Sequence, residues 1–179
     1  MLLTTEGAVL LLIDLQQRLM PVIHDHETVL ARAVRLAEAA TLLDVPVRAT
    51  EQNPAGLGPT VPPLAAYPQA VLAKTTFSAA ADPGFAALLP AEGEIVVAGV
   101  EAHVCVLQTV LDLLDAGRRV VWAADATGSR DPADREVAID RARRHGAEIV
   151  TSEMVLFEWL RDAKNPSFKQ VHSLLTSGN

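Results

Sequence analysis

Short, continuous apolar runs alternate along the chain with longer segments of helical periodicity. Unbroken apolar runs are typical of parallel strands that are buried on both faces, whereas one-sided sheets alternate apolar and polar residues. Six runs predict strands, at residues 8–13, 45–49, 70–73, 94–98, 120–123 and 147–150. Apolar residues spaced three and four apart predict helices at residues 26–43, 106–116, 131–145 and 152–161.

This alternation of strand and helix predicts an α/β fold, because parallel strands need long crossover connections, which are right-handed. We expect a three-layer α/β/α sandwich around a six-stranded, mostly parallel sheet. The Pro- and Gly-rich stretch 53–63 is interpreted as a loop, since too few residues precede it to make a domain. The sequence therefore predicts one domain over residues 1–179.

Composition narrows the classes of protein to consider. Half of the residues are apolar, which argues against disorder. A net charge of -7 and 4% aromatic residues argue against a nucleic-acid partner. The N-terminal residues lack the basic start of a signal peptide, and no uncharged run approaches the roughly 20 residues that cross a bilayer. The expectation is a cytoplasmic protein with no membrane or nucleic-acid partner.

Three residues with reactive side chains lie at or just after predicted strands. Asp14 ends the first strand, Lys74 follows the third, and Cys105 comes soon after the fourth. Functional groups of open parallel sheets gather at the carboxyl ends of the strands. If these strands lie side by side, the carboxylate, the ammonium and the thiol meet in one pocket.

Cys105 is the single cysteine of the chain, so no internal disulfide can form. It precedes a predicted amphipathic helix, and the positive end of a helix dipole stabilises a thiolate. Free backbone N–H groups at the same place could bind an oxyanion. The alternative is a buried structural cysteine, because free cysteines are among the most buried residues.

Asp14 and Lys74 each allow an ordinary interpretation as well. Asp14 could cap a helix, or it could accept the proton of the Cys105 thiol and later activate water. Lys74 could be a solvated surface charge. Beside a carboxylate and a thiol, however, its ammonium would favour both anions and lower their pKa values.

Additional catalytic or metal-binding patterns find little support. His103 lies only two residues before Cys105, so the two side chains could diverge on the turn. His24 and His26 are close together but lack further ligands, and no metal site is predicted. A phosphate-binding loop and the serine hydrolase motif Gly-x-Ser-x-Gly are absent.

Three segments together resemble the isochorismatase-like cysteine hydrolases. They are Leu-Ile-Asp-Leu-Gln at 12–16, Lys-Thr-Thr-Phe-Ser at 74–78 and Gly-Val-Glu-Ala-His-Val-Cys-Val at 99–106. Residues 50–60 and 157–161 are similar to the branch of isochorismatase domain-containing proteins. The resemblance implies a Rossmann-like sandwich, a catalytic set of Asp14, Lys74 and Cys105, no cofactor, and a dimer or higher assembly.

The resemblance also implies finer details of the site. A cis peptide is expected between Val100 and Glu101, which would aim the Glu101 N–H, with that of Cys105, at an oxyanion. Nicotinamidases of this superfamily hold a metal with an aspartate and histidines after the second strand. This chain has Glu-Gln-Asn at 51–53 instead, which makes a metal-dependent nicotinamidase unexpected. The residues expected to line a substrate pocket are Gln16, Gln52, Asn53 and Phe77, although loop capping explains Gln52 and Asn53 equally well.

The sequence thus predicts a cysteine-nucleophile hydrolase of a small amide-like, carbamoyl or related substrate, acting through an acyl-enzyme. Two alternatives stay open: a non-catalytic binding or scaffold protein with the same fold, and a peroxide sensor that uses Cys105. No resolving cysteine supports the sensor. Apolar residues in the 53–63 loop and in segment 155–160 predict an interface between copies of the chain, unless the segment packs on its own sheet.

Overall fold

Six strands form one sheet in which all neighbouring strands run parallel, as the continuous apolar runs predict. The structure, a computed structural model, describes residues 1–176. The strands are β1 Val9–Ile13, β2 Val47–Gln52, β3 Ala70–Lys74, β4 Glu94–Val100, β5 Arg119–Gly128 and β6 Glu148–Val150. The helices are α1 His26–Leu42, α2 Pro54–Leu57, α3 Leu107–Asp115, α4 Pro132–Arg144, α5 Ser152–Leu160 and α6 Phe168–Thr176.

The side chains of β1 show why the sheet needs helices on both faces. Leu10 and Leu12 pack into one apolar cluster with residues of α1, α5 and α6. Val9, Leu11 and Ile13 point the opposite way, into a second cluster with residues of α3 and α4. Successive residues of a strand alternate between faces, so five consecutive buried residues require two covering layers. The fold is the expected α/β/α sandwich.

The order of the strands is β3-β2-β1-β4-β5-β6. The chain therefore builds outward from β1 on one side and returns to β4 on the other side. In open α/β sheets this reversal leaves a crevice at the carboxyl ends of the two central strands. Asp14 follows β1 and Cys105 follows β4, so the order of the strands brings both residues to this crevice.

Several elements differ from the sequence expectation. β4 runs past Gly99 to Val100, where the sequence predicts its end at residue 98. Gly99 has φ +138°, and a Cβ there would lie 2.1 Å from the carbonyl oxygen of Ile13, so only glycine lets β1 and β4 approach so closely. β5 continues to Gly128 after an irregularity in its pairing with β4. There the Trp122 Nε1–H donates to Thr127 Oγ1 at 2.9 Å.

Two helices are not predicted from the sequence. The four-residue α2 lies inside the stretch interpreted as a loop, and α6 lies beyond the last predicted element. α6 packs against α1 and α5, with Val171 fully buried. Within residues 1–176, no helix combines the length and apolar character that crossing a membrane requires.

Candidate active site

The Asp14 carboxylate is fully buried where β1 ends. Asp14 has a left-handed backbone with φ 54°, which turns the chain away from the strand. Its Oδ1 accepts a hydrogen bond from Thr50 Oγ1 at 2.7 Å, and its Oδ2 accepts one from Lys74 Nζ at 2.9 Å. A buried carboxylate needs such partners, because leaving water without them is costly. Asp14 is therefore a fixed anion rather than a helix cap.

Lys74 is not a surface lysine, since its side chain is fully buried. Its ammonium donates to Asp14 Oδ2, to Gln52 Oε1 at 2.7 Å, and to the carbonyl oxygens of Thr76 and Phe77 at 3.2 Å each. Surrounding oxygens offset the cost of burying the charge. These contacts fix one cation next to the carboxylate.

β2 lies between β3, which carries Lys74, and β1, which precedes Asp14, so these two residues do not come from neighbouring strands. The strands that precede Asp14 and Cys105, β1 and β4, are neighbours. In the sheet, Ile13 is paired with Thr50, and Gln52 is paired with Lys74. The lysine side chain spans the end of β2, where Gln52 accepts a hydrogen bond from Lys74 and Thr50 donates one to Asp14. The sequence analysis does not single out Thr50, although a polar residue directly after the predicted strand 45–49 is a usable signal.

The Cys105 sulfur completes the cluster. Cys105 lies in a π-helical turn, Ala102–Val106, that continues directly into α3. The residue is 6% exposed, and its Sγ is 4.0 Å from Gln52 Oε1. The thiol also interacts with the Asp14 carboxylate and the Lys74 ammonium. The structure therefore brings a carboxylate, an ammonium and a thiol together.

The protonation of Cys105 differs from the expectation of a stabilised thiolate. Burial raises the pKa of the thiol to about 12, and the negative charge of Asp14 acts in the same direction. Lys74 lowers the pKa, but by less than the two raising effects together. Desolvation disfavours the charged form of any acid, and a nearby anion adds to it. The resting side chain is thus a neutral thiol, and the predicted low pKa is wrong.

Gln16 is expected to line the substrate pocket, but its side chain instead forms hydrogen bonds with the backbone. Its side chain is completely buried. Its Nε2 donates to the carbonyl oxygens of Gln52 and Gly58 at 3.0 and 2.7 Å, and its Oε1 accepts from the Gln52 N–H at 2.8 Å. Gln16 therefore holds the segment from β2 to the end of α2 in place, and its side chain has no exposed surface for contact with a substrate.

The remaining residues expected to line the pocket lie around the buried pair. Gln52 contacts Lys74 through Oε1 and the Thr75 carbonyl oxygen through Nε2, at 2.8 Å. Asn53 has φ 39°, and its N–H donates to the Lys74 carbonyl oxygen at 2.8 Å. Phe77 is 55% exposed, and its own backbone carbonyl oxygen accepts a hydrogen bond from the Lys74 ammonium. Gln52 thus contacts the ammonium with its side chain and Phe77 with its backbone carbonyl, whereas Asn53 contacts only the backbone of Lys74.

The peptide bond between Val100 and Glu101 is cis. The Glu101 carboxylate is buried and accepts from the N–H and the Nε of Arg130, each at 3.0 Å. His103 contacts Ser129 Oγ at 3.0 Å through Nδ1, and its Nε2 is 3.7 Å from Asp134. These contacts direct the imidazole toward the end of β5 and the start of α4. Within residues 1–176, no group of three or more His, Cys, Asp or Glu side chains is arranged to hold a metal ion.

Fold and site together define a parallel α/β sandwich that gathers a carboxylate, an ammonium and a thiol where the strand order reverses. Residues 8–154 match the isochorismatase domain, and the chain belongs to this family. It is 39% identical over 175 residues to isochorismatase domain-containing protein 2 of Danio rerio, covering 97% of this chain and 89% of that protein. The family resemblance drawn from the sequence is thereby confirmed.

Solved structures show the same fold. The MAR1 ribonuclease of Caenorhabditis elegans superposes with a TM-score of 0.91 at 32% identity, covering 99% of this chain and 94% of that one. The YcaC gene product of Escherichia coli, described as an octameric hydrolase of unknown specificity, gives a TM-score of 0.86 at 24% identity, covering 98% and 95%. Membership of the isochorismatase family supports a hydrolase.

Proposed function

We propose that this protein is a cysteine-nucleophile hydrolase of small amide-like, carbamoyl or related substrates. One observation carries the proposal: a buried Asp14–Lys74 ion pair contacts a thiol that keeps a small exposed surface. A buried ion pair is weak evidence of stability, because its desolvation cost offsets much of its attraction. A thiol with a shifted pKa beside a buried ion pair, at the carboxyl ends of the strands, is instead typical of a catalytic site.

The neutral thiol determines the first step. Asp14 accepts the proton of Cys105 as the sulfur attacks the substrate carbonyl carbon, so no free thiolate has to accumulate. The negative charge moves from the carboxylate to the substrate oxygen, where the backbone N–H groups of Glu101 and Cys105 bind it. Lys74 stays charged throughout and now faces a developing anion instead of Asp14.

Asp14 also serves the remaining steps. It donates its proton to the leaving group, and the acyl group stays on Cys105 as a thioester. The Asp14 carboxylate then removes a proton from water, which attacks the thioester carbonyl carbon and releases the acid and the thiol. Residues Gln52, Asn53 and Phe77 border the substrate in this scheme. No step uses a metal or a cofactor.

The MAR1 ribonuclease is described as acting on RNA, and RNA is therefore a second substrate to test. The net charge of -7 and the small share of aromatic residues do not favour RNA here. A non-catalytic scaffold and a peroxide sensor are two further hypotheses. Both predict that the folded protein hydrolyses none of the compounds in a broad panel.

Purified protein should be tested against small amides, carbamoyl compounds and an RNA oligonucleotide. We expect turnover of at least one small compound. Cys105→Ala should lower turnover by about a thousandfold or more, because nucleophile and base act as a unit. Gln108→Ala, an exposed position on α3, is the matched control and should keep full activity.

Mass spectrometry of the wild-type protein, quenched with acid during turnover, should detect the acyl-enzyme, whereas Asp14→Asn should form much less of it because it lacks the base that accepts the thiol proton. Full activity of Cys105→Ala would end the proposal. Turnover of RNA alone, dependent on Cys105, would replace the substrate class.

We also propose that the chain forms a homo-oligomer. Val155, Leu156 and Trp159 of α5 pack into the chain's own core, so most of the segment expected at an interface is already covered. Met154 and Phe157 remain 45% and 42% exposed on the outer side of this helix. The octamer described for the YcaC gene product is consistent with such an assembly, and these two side chains are the part of the segment that could contribute to it.

A further inference from the structure

The charges at the site cancel before a substrate binds. Asp14 contributes one negative charge, Lys74 contributes one positive charge, and the two groups are 2.9 Å apart. The thiol beside them is neutral at ordinary pH. A molecule that reaches Cys105 therefore meets an ion pair whose two charges cancel, and the Lys74 ammonium already has four oxygen neighbours.

The two arginines that contact elements of the site lie at the surface, away from the buried ion pair. Arg130 is paired with the Glu101 carboxylate at 3.0 Å. Arg18 binds the carbonyl oxygen of Gly56 at 2.9 Å, on the exposed side of α2. Within the described residues, the contacts near the site thus leave no buried cation free to receive an anionic group of a substrate.

The proposed reaction keeps this balance only for an uncharged substrate. When the thiol proton moves to Asp14, one negative charge disappears from the carboxylate and one appears on the substrate oxygen. Lys74 compensates the charge before and after the transfer. A carboxylate on the substrate would add a second negative charge that nothing at the site neutralises, and a low effective dielectric strengthens this repulsion.

We propose that the site selects uncharged acyl compounds, such as primary amides, and rejects compounds that carry a carboxylate near the reacting carbon. The inference rests on the proposed function, since it concerns the substrate of the same cysteine. It narrows that function to a substrate class defined by charge.

Acrylamide and acrylate test the charge selection without requiring turnover. The two probes are similar in size. In each, a thiol adds across the carbon–carbon double bond: the S–C bond forms at the β-carbon, and the α-carbon takes up a proton. Acrylate is ionised at pH 8 and acrylamide is neutral. Mass spectrometry of the intact protein, whose only cysteine is Cys105, gives both rates. Each rate is divided by that of the same probe with N-acetylcysteine amide, an uncharged small thiol.

We expect the normalised acrylate rate to be about tenfold or more below the normalised acrylamide rate, as a repulsion between close charges at low dielectric predicts. In Asp14→Asn the pocket gains a net positive charge, so this ratio should rise at least severalfold. Glu136→Gln, an exposed position on α4, removes the same charge far from the pocket and should leave the ratio unchanged.

The outcomes separate the two proposals. Equal normalised rates in the wild-type protein, or equal ratios in the Asp14→Asn and Glu136→Gln variants, would overturn the charge selection while leaving a cysteine hydrolase possible. Failure of both probes to modify the folded protein even at pH 11, where a thiol with a pKa of about 12 is partly ionised, would overturn both proposals, because small acyl compounds would then not reach Cys105.

Discussion

At the scale of single residues, Cys105 shows how burial and charge compete. Its position at the start of a helix and its proximity to Lys74 both favour a thiolate. Burial and the Asp14 carboxylate nevertheless raise its pKa to about 12. A thiol with this pKa stays protonated at neutral pH and is a weak nucleophile, so its proton must pass to a base in contact as the sulfur attacks. In the proposed mechanism, the high pKa is the reason that Asp14 is needed as a base.

Removing the charge of Asp14 should have opposite effects on alkylation and on hydrolysis. Asp14 raises the pKa of Cys105, so Asp14→Asn should lower this pKa below about 12. Alkylation by iodoacetamide at pH 9 should then be faster than in the wild-type protein, because more thiolate is present. Hydrolysis should fall, since no base remains to activate water. Alkylation rates of both proteins, measured from pH 7 to pH 11, report the pKa of Cys105. A rate profile for Asp14→Asn at the same pH as wild type, or at higher pH, would contradict the predicted fall in this pKa.

At the scale of elements, the site depends on contacts between segments that are far apart in the sequence. The end of β2 holds Lys74 on one side and Asp14 on the other. The segment after β3 supplies two carbonyl oxygens to Lys74, and it is anchored on α3 by Thr109. The Thr109 hydroxyl, fully buried, accepts from the Ala79 N–H at 2.9 Å and donates to the Cys105 carbonyl oxygen at 2.7 Å. One side chain thus joins the segment that surrounds the lysine to the turn that carries the sulfur.

Thr109→Val keeps the shape of this side chain and removes both hydrogen bonds, whereas Thr109→Ser keeps them. The valine variant leaves the buried Ala79 N–H without a partner, which costs about 1–3 kcal/mol. We expect a lower melting temperature and a lower turnover number for valine, with serine close to wild type in turnover. Thermal denaturation and steady-state kinetics measure both effects. Equal turnover of the two variants would show that the anchor does not position the site.

At the scale of the whole molecule, several large apolar side chains remain on the surface of the single chain. Val71 on the edge strand β3, Phe77 beside the site and Phe157 on α5 are all more than 40% exposed. Among residues 1–176, β3 is also an edge strand of the sheet, with a strand paired on one side of its backbone only. An exposed apolar edge strand favours association with another chain. These features support the proposed homo-oligomer.

Light scattering coupled to size-exclusion chromatography should give a mass that is a multiple of 19.1 kDa. Phe157→Asp should shift the protein toward smaller species, because a charge is then placed in the apolar contact. Val137→Asp, on the exposed side of α4, is the control and should keep the wild-type mass. A wild-type protein that runs as a monomer at micromolar concentration would refute the assembly.

The sequence by itself determined the layers of this protein and the three reactive residues of its candidate site. Continuous apolar runs require a sheet buried on both faces, and the ends of these runs place Asp14, Lys74 and Cys105 at one edge. Only the tertiary structure decided that β2 separates two of these strands, that Thr50 and Gln52 fill the gap, and that Gln16 braces the backbone. It also decided the protonation of Cys105, because a pKa depends on burial and on distances between groups that are far apart in the chain.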